Sequence, residues 1–292
     1  MTARDPILIP AFAAPALAQG VATELADHAV AALVDEAMLT PKPGLVDLRG
    51  GGSHRDLSWP LMCASACALR PAFIRMALAG LLIADDDALL RRRIGAIGRE
   101  GEAAMMAVSK GVNTHRGAIW ALGLLVTAAA VAPERDAPSI AARAGRLARI
   151  ADPGAPVLTG HKGERACIEH GVGGARGQAG AGFPHVIEHA LPMLKLARAR
   201  GDAEHLARVN ALLAVMATLD DTCLLARGGR KALSAAQQGA RRVLAAGGIA
   251  TPNGRRAFDE LEERLRRLHV SPGGAADLLA AALLLDRIER GE

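Results

Sequence analysis

Four short polar stretches carry the residue types that chemistry needs, and each interrupts an otherwise apolar chain. The first, EAMLTPKPGLVDLRGGGSHRD from Glu36 to Asp56, crowds together Glu36, Lys42, Asp47, Arg49, Ser53, His54, Arg55 and Asp56. Pro41, Pro43, Gly44 and Gly50 to Gly52 keep that segment out of regular structure. A loop so long and charged is uncommon inside a compact domain unless it binds something. The second, Lys110-Gly111-Val112-Asn113-Thr114-His115-Arg116-Gly117, reads as a helix end, a break at Gly111 and a new helix capped by Asn113 or Thr114. Unpaired N–H groups at such an N-terminus hold phosphate or another anion. An ordinary cap followed by two solvated basic residues is the alternative. The third, His170 to Ala179, is glycine-rich, which suits a backbone lying close to a ligand, but it matches neither a Rossmann nor a Walker pattern. The fourth is Asp220-Asp221-Thr222, after the apolar Leu212, Leu213, Val215, Met216 and Leu219. A divalent cation would relieve the repulsion of the two carboxylates, and simple helix-end charge is the alternative.

Helices must position these groups. Val21, Leu25, Ala29, Ala32, Leu33 and Ala37 keep helical spacing and deliver Glu36 near the end of a first helix opened by Gly20. Residues 1–19 before it are expected to form an extended, Pro-punctuated arm. Ser58 ahead of Trp59-Pro60 starts a helix that Pro71 kinks or ends. Asp85-Asp86-Asp87 caps the next, which runs towards Ser109, and Ile119 to Ala132 then buries itself completely. Ser139 to Ile150 is a short helix, residues 151 to 163 are irregular, and Phe183-Pro184 starts a helix to about Arg200. After Ala203 to Asp220, the Arg227-Gly228-Gly229 turn leads into Lys231 to Ala246. Thr251-Pro252 opens a helix to His269, and Ser271-Pro272-Gly273-Gly274 opens the last one, with Asp277 in its first turn. No segment shows strand alternation and no repeat appears. The expectation is an all-α protein: a single large helical catalytic domain over residues 20–292 with long functional loops at one end.

Composition narrows the function. At 292 residues and 51% hydrophobic the chain can bury a large core. With no Tyr, 4 Phe and 2 Trp, that core falls to Ala, Leu, Val, Ile and Met, which favours helix over strand. The net charge of +5 suits a phosphate-rich small ligand, whereas the scarcity of aromatics and of basic runs argues against nucleic acid. Cys63, Cys67, Cys167 and Cys223 fall in no metal-ligand spacing and read as reduced thiols of a cytoplasmic protein. The apolar Ile7 to Ala18 imitates an export signal, but Asp5 beside Arg4, with Pro10 and Pro15 inside the apolar part, makes a poor one. The run Ala118 to Ala132 is too short to span a bilayer, so no membrane association is expected.

Taken in order, TPKPGLVD at Thr40 to Asp47, NTHRG at Asn113 to Gly117, GARGQA at Gly174 to Ala179, DDT at Asp220 to Thr222, RGG at Arg227 to Gly229 and SPGGAAD at Ser271 to Asp277 resemble the triphosphoribosyl-dephospho-CoA synthase family. The resemblance runs from about residue 25 to the end, with Arg116 where many relatives have Lys and Gln178 where many have Glu. It implies transfer of the 5-triphosphoribosyl group of ATP to the 2′-hydroxyl of 3′-dephospho-CoA with release of adenine. The product would be the prosthetic-group precursor for an acyl-carrier subunit, and a free-standing chain favours the malonate decarboxylase branch over citrate lyase. A Mg²⁺-dependent helical N-glycoside hydrolase and a non-catalytic partner of an acyl-carrier protein are the alternatives. A homodimer is compatible with either enzyme.

Breaking the ribose–adenine bond of ATP calls for a base, a proton donor for adenine, and firm anchoring of the triphosphate. The expected proton-transfer groups are Asp47 and His54. Lys42, Arg49, His115, Arg116 and Arg176 are expected on the phosphates, oriented by Asn113 and Thr114. Glu36, Asp220 and Asp221 are expected to hold Mg²⁺.

Overall fold

The computed structural model describes residues 13–132, 135–156 and 158–291. Among them the expected all-α architecture holds: thirteen α-helices, one π-helical turn, and no strand beyond an isolated bridge between Asp47 and Gly50. The helices are α1 (Ala13–Met38), α2 (Trp59–Ala68), α3 (Arg70–Leu82), α4 (Asp87–Val108), α5 (Arg116–Val131), α6 (Ala137–Arg149) and α7 (Lys162–His170). They continue with α8 (Gly174–Gly180), the π turn His185–Ala190, α9 (Leu191–Ala199), α10 (Glu204–Met216), α11 (Thr222–Ala245), α12 (Pro252–Leu268) and α13 (Gly273–Arg290).

The core is built round α5 and α13, whose central turns are buried on every side. Ala118 to Ala129 is buried at all positions but Trp120, and Leu278 to Asp286 is buried throughout. A helix apolar on every side must be enclosed by others. Accordingly α1 packs on α3, α5 and α13, α3 on α4 and α5, and α10 on α9, α11 and α13. Burying the middle of α5 and α13 fixes their N-terminal turns, and those turns carry the NTHRG and SPGGAAD motifs.

Local signals act much as expected. Asp86 Oδ1 accepts from Leu89 N at 2.9 Å to cap α4, and Thr251 Oγ1 accepts from Gly254 N at 3.0 Å to cap α12. Leu69 separates α2 from α3 just before Pro71. Together these two helices, Trp59–Leu82, are long and apolar enough to cross a membrane, but the break at Leu69 and packing on α1, α4 and α5 make them core elements here. Gly229 (φ 59°, ψ −164°) kinks α11, the turn read from RGG.

Three expectations are corrected. Helix α1 begins at Ala13, so 13–19 is helical and not an extended arm; Pro15 lies in its first turn, where a missing N–H costs nothing. Residues 1–12 of that arm, and with them most of the imitation export signal, lie outside the described residues. The glycine-rich 174–180 stretch is helix α8, and Gly145 of α6 lets it pack closely, since a Cβ there would meet Ala179 O at 3.1 Å. The helix expected after Phe183-Pro184 opens as a π turn, a feature that commonly sits at functional sites, and here it carries His185.

Candidate active site

The N-terminal turns of α5, α7, α8, α11 and α13 all line one cavity of about 1210 Å³. The Glu36–Leu57 region and one face of α4 close it from the other sides. Single drug-sized ligands occupy roughly 300–1,000 Å³, so this cavity has room for more than one small molecule. Helix N-termini present unpaired N–H groups and positive potential, which favours anions.

One end of the cavity is acidic, and most of its charge is already committed. Lys42 Nζ donates to Glu36 Oε1 at 2.5 Å and also to the Glu36 carbonyl, and both side chains are buried. Asp221 caps α11, its Oδ1 accepting from Cys223 N at 2.8 Å and Leu224 N at 3.3 Å. Its Oδ2 accepts from Ala275 N of α13 at 2.9 Å, so one carboxylate joins two helix N-termini. Burial pushes its pKa up while those N–H groups pull it down. Asp277 is different: its carboxylate lies against Gly117, where any Cβ would collide with it, and it accepts from the Ala118 N–H. Burial, then Glu36 and Asp221, push its pKa well above the usual carboxylate range, which favours its protonated form.

Two histidines flank this end. His115 is buried with Nε2 2.9 Å from the Met62 carbonyl, so Nε2 carries the proton and Nδ1 is left as acceptor. Burial lowers its pKa, which keeps it neutral. His54 lies with Nδ1 3.7 Å from Asp56 Oδ1 and 3.5 Å from an Arg227 terminal nitrogen. Burial and then Arg227 lower its pKa, against the pull of Asp56. A neutral imidazole beside a carboxylate is suited to accept a proton.

Another part of the wall is basic. Arg91 and Arg99 of α4, Arg116 of α5 and Arg176 of α8 line it with Lys162 and Arg165 of α7. Arg116 Nε is paired to Glu102 Oε1 at 2.6 Å, and Arg99 to Asp152 Oδ2 at 2.7 Å. Arg176, Lys162 and Arg165 have no ion-pair partner among the described residues and remain available to a ligand. Beside them, His185 Nδ1 meets Gln178 Oε1 at 3.0 Å, which fixes the ring against the cavity wall.

Of the residues expected from sequence, Glu36, Lys42, His54, Asn113, Thr114, His115, Arg116, Arg176, Asp220 and Asp221 line this cavity, while Asp47 and Arg49 do not. Asp47 is a loop brace: its oxygens take Lys42 N at 3.0 Å, Arg49 N at 2.8 Å and Arg49 Nε at 2.9 Å. Proton transfer by Asp47 does not fit that geometry. Arg49 spends its guanidinium on Asp47 and on Glu262 of α12, so it is a clasp and not a phosphate ligand. Lys42 is likewise spent on Glu36. Asn113 Oδ1 accepts from Arg116 N at 3.1 Å and so caps α5, as read, whereas the Thr114 hydroxyl is buried without a partner among the described residues.

The metal trio is not assembled as expected. No group of three His, Cys, Asp or Glu side chains converges among the described residues. Glu36 is held by Lys42 and Asp221 by backbone donors, leaving exposed Asp220 with free oxygens. One carboxylate is enough for a Mg²⁺ that arrives on phosphate oxygens, since that ion keeps several waters. Sequence reading gave no site role to Arg91, Trp120 or Asp277, although Asp277 closes the SPGGAAD motif. Arg91 falls on the same α4 face as Leu90, Ile94, Ile97 and Gly101, and that phase was the available signal.

An all-helical protein whose polar cavity gathers several helix N-termini, cations without ion-pair partners among the described residues and a carboxyl of raised pKa is suited to handle phosphorylated small molecules. Residues 22–292 match the profile of the ATP:dephospho-CoA triphosphoribosyl transferase family, and the chain belongs to that family. It is 56% identical over 280 residues to a probable 2-(5''-triphosphoribosyl)-3'-dephosphocoenzyme-A synthase of Azotobacter vinelandii, covering 96% of each chain. Identically described proteins are 57% identical over 265 residues in Pseudomonas paraeruginosa, covering 90% of each chain, and 57% identical over 273 residues in Pseudomonas fluorescens Pf-5, covering 93% of this chain and 94% of that one. No solved structure matches. The family reaction makes ATP and dephospho-CoA the substrates that the cavity must receive.

Proposed function

We propose that the chain moves the 5-triphosphoribosyl group of ATP onto the ribose 2′-hydroxyl of 3′-dephospho-CoA, with His54 and Asp277 as the proton-handling pair. The observation that carries the assignment of roles is the contrast in protonation between them. With its pKa lowered, His54 is suited to take the hydroxyl proton, while the raised pKa of Asp277 favours the acid form that departing adenine needs; both groups line the same cavity. In that reaction the C1′–N9 bond of ATP breaks, its electrons and one proton go to adenine, and the hydroxyl oxygen bonds C1′ as its own proton leaves. Mg²⁺, if carried in on the triphosphate, would offset its charge, with Asp220 as the protein carboxylate free to meet it.

Adenine release measured with and without dephospho-CoA tests the reading: the transferase requires it, and release without it would favour hydrolysis. Because the His54 pKa is lowered from 6.5, kcat/KM stays flat through pH 6.5 and falls only as the pH drops through the lowered value. His54→Gln removes that acid limb. An acid limb unchanged in the variant would assign the base elsewhere.

For the pathway, we assign the malonate decarboxylase branch. Deleting the encoding gene is expected to abolish malonate decarboxylase activity and spare citrate lyase; the converse would reverse the assignment.

A further inference from the structure

At the basic end of the cavity one cation is placed where an unpaired charge is costly. Arg91 is 6% exposed, and its guanidinium lies 5.0 Å from the ring centroid of Trp120. Its nearest carboxylate, Asp152 Oδ2, is 3.7 Å away and already accepts from Arg99 at 2.7 Å, while Asp152 Oδ1 takes the Gly154 N–H at 3.0 Å. Arg91 Nε and Trp120 Nε1 are both buried with no acceptor among the described residues. Both residues line the cavity. A buried guanidinium with unused N–H groups is unfavourable unless an anion meets it.

The surroundings add to that demand. Burial lowers the Arg91 pKa, Asp152 opposes that, and Arg176 and Arg99 lower it further, so two more cations stand close to Arg91. The arrangement is also built in: a Cβ on Gly95 would collide with Asp152 Oδ2 and lie 2.9 Å from an Arg91 terminal nitrogen. Arg176, exposed on α8, has no ion-pair partner among the described residues and can close over whatever binds. Cation–π contact with Trp120 holds the Arg91 plane in place, and a planar guanidinium suits phosphate oxygens.

We propose that Arg91, Trp120 Nε1 and Arg176 form a polyphosphate subsite, distinct from the acidic end, that takes the phosphate chain of one of the two nucleotide substrates. That both substrates are nucleotides rests on the family reading. Two polyanions in one cavity repel, so each needs its own anchor, and the acidic end offers a second anion only helix N-termini and a metal carried with it.

Binding of ATP, dephospho-CoA and inorganic tripolyphosphate to the full chain is measured by calorimetry for the parent, Arg91→Lys and Arg176→Gln. Melting curves confirm folding, and Arg176→Gln, at an exposed position, decides the matter should Arg91→Lys fail to fold. The expected result is weakening by about tenfold or more for one nucleotide, with the other changed by less than about twofold, on loss of charge-assisted bonds. Loss confined to ATP, shared with tripolyphosphate, assigns the triphosphate; loss confined to dephospho-CoA assigns its diphosphate. Folded variants that bind both nucleotides as the parent does, or lose both equally, overturn the subsite. Adenine release by the unaltered chain is scored separately, so failure of the transferase reading leaves the binding result interpretable.

Discussion

The acidic and the basic parts of the cavity wall use charge in opposite ways. At the acidic end nearly every charged group is satisfied by a neighbour: Lys42 by Glu36, and Asp221 by three backbone N–H groups. In the basic part Arg91 and Arg99 share Asp152, and Arg176, near enough to Arg91 to lower its pKa, has no ion-pair partner among the described residues. The first pattern makes a rigid wall in which a single proton, that of Asp277, is the variable. The second leaves positive charge for a ligand to neutralise. A residue's type is therefore a poor guide to its role, because Lys42 is structural and Arg91 is free to bind.

The largest expected effect tests the variable proton. Asp277→Asn should lower kcat by about 10²–10⁴, the usual yield of general acid–base catalysis. Stability should move the other way. The folded chain keeps a proton on Asp277 that the unfolded chain has released above the ordinary carboxylate value, so stability is lost as pH rises from there through the raised value. The Asn variant escapes that loss, and its melting temperature relative to the parent should climb between pH 4 and pH 8. A variant with parental kcat would remove Asp277 from the chemistry.

Next in size, Lys42→Ala strands the buried Glu36 carboxylate and should cost about 3–5 kcal/mol in denaturant unfolding. Arg99→Ala removes a partner that is 42% exposed and leaves Arg91 beside Asp152, so it should cost under about 1 kcal/mol. Equal costs would erase the distinction between the two ends. The smallest effect is expected at the clasp outside the cavity: Arg49→Ala should cost under about 1 kcal/mol and leave the ATP KM unchanged. A raised KM would return Arg49 to the phosphates.

How much of this was legible follows from the range of the forces concerned. Helix identity, caps and breaks depend on neighbours within a turn, which is why Asp86, Thr251 and the Gly229 kink were readable. The motif order was readable too, and it carries the family. Where a motif side chain spends its hydrogen bonds was not. Asp47 and Arg49 sit two residues apart in a conspicuous loop, yet Arg49 turns to Glu262, far along the chain, and Asp47 turns back to Lys42. The pKa of Asp277 is raised because packing against α5 buries it and α1 and α11 bring Glu36 and Asp221 near it.

By itself, then, the chain's pattern of apolar residues, caps and glycine breaks determined an all-helical fold and the set of polar segments, since these rest on local propensity and burial. Tertiary structure alone decided which charges are spent and which are available. Desolvation and pairing are set by groups that converge from distant helices, and no spacing within one motif encodes them.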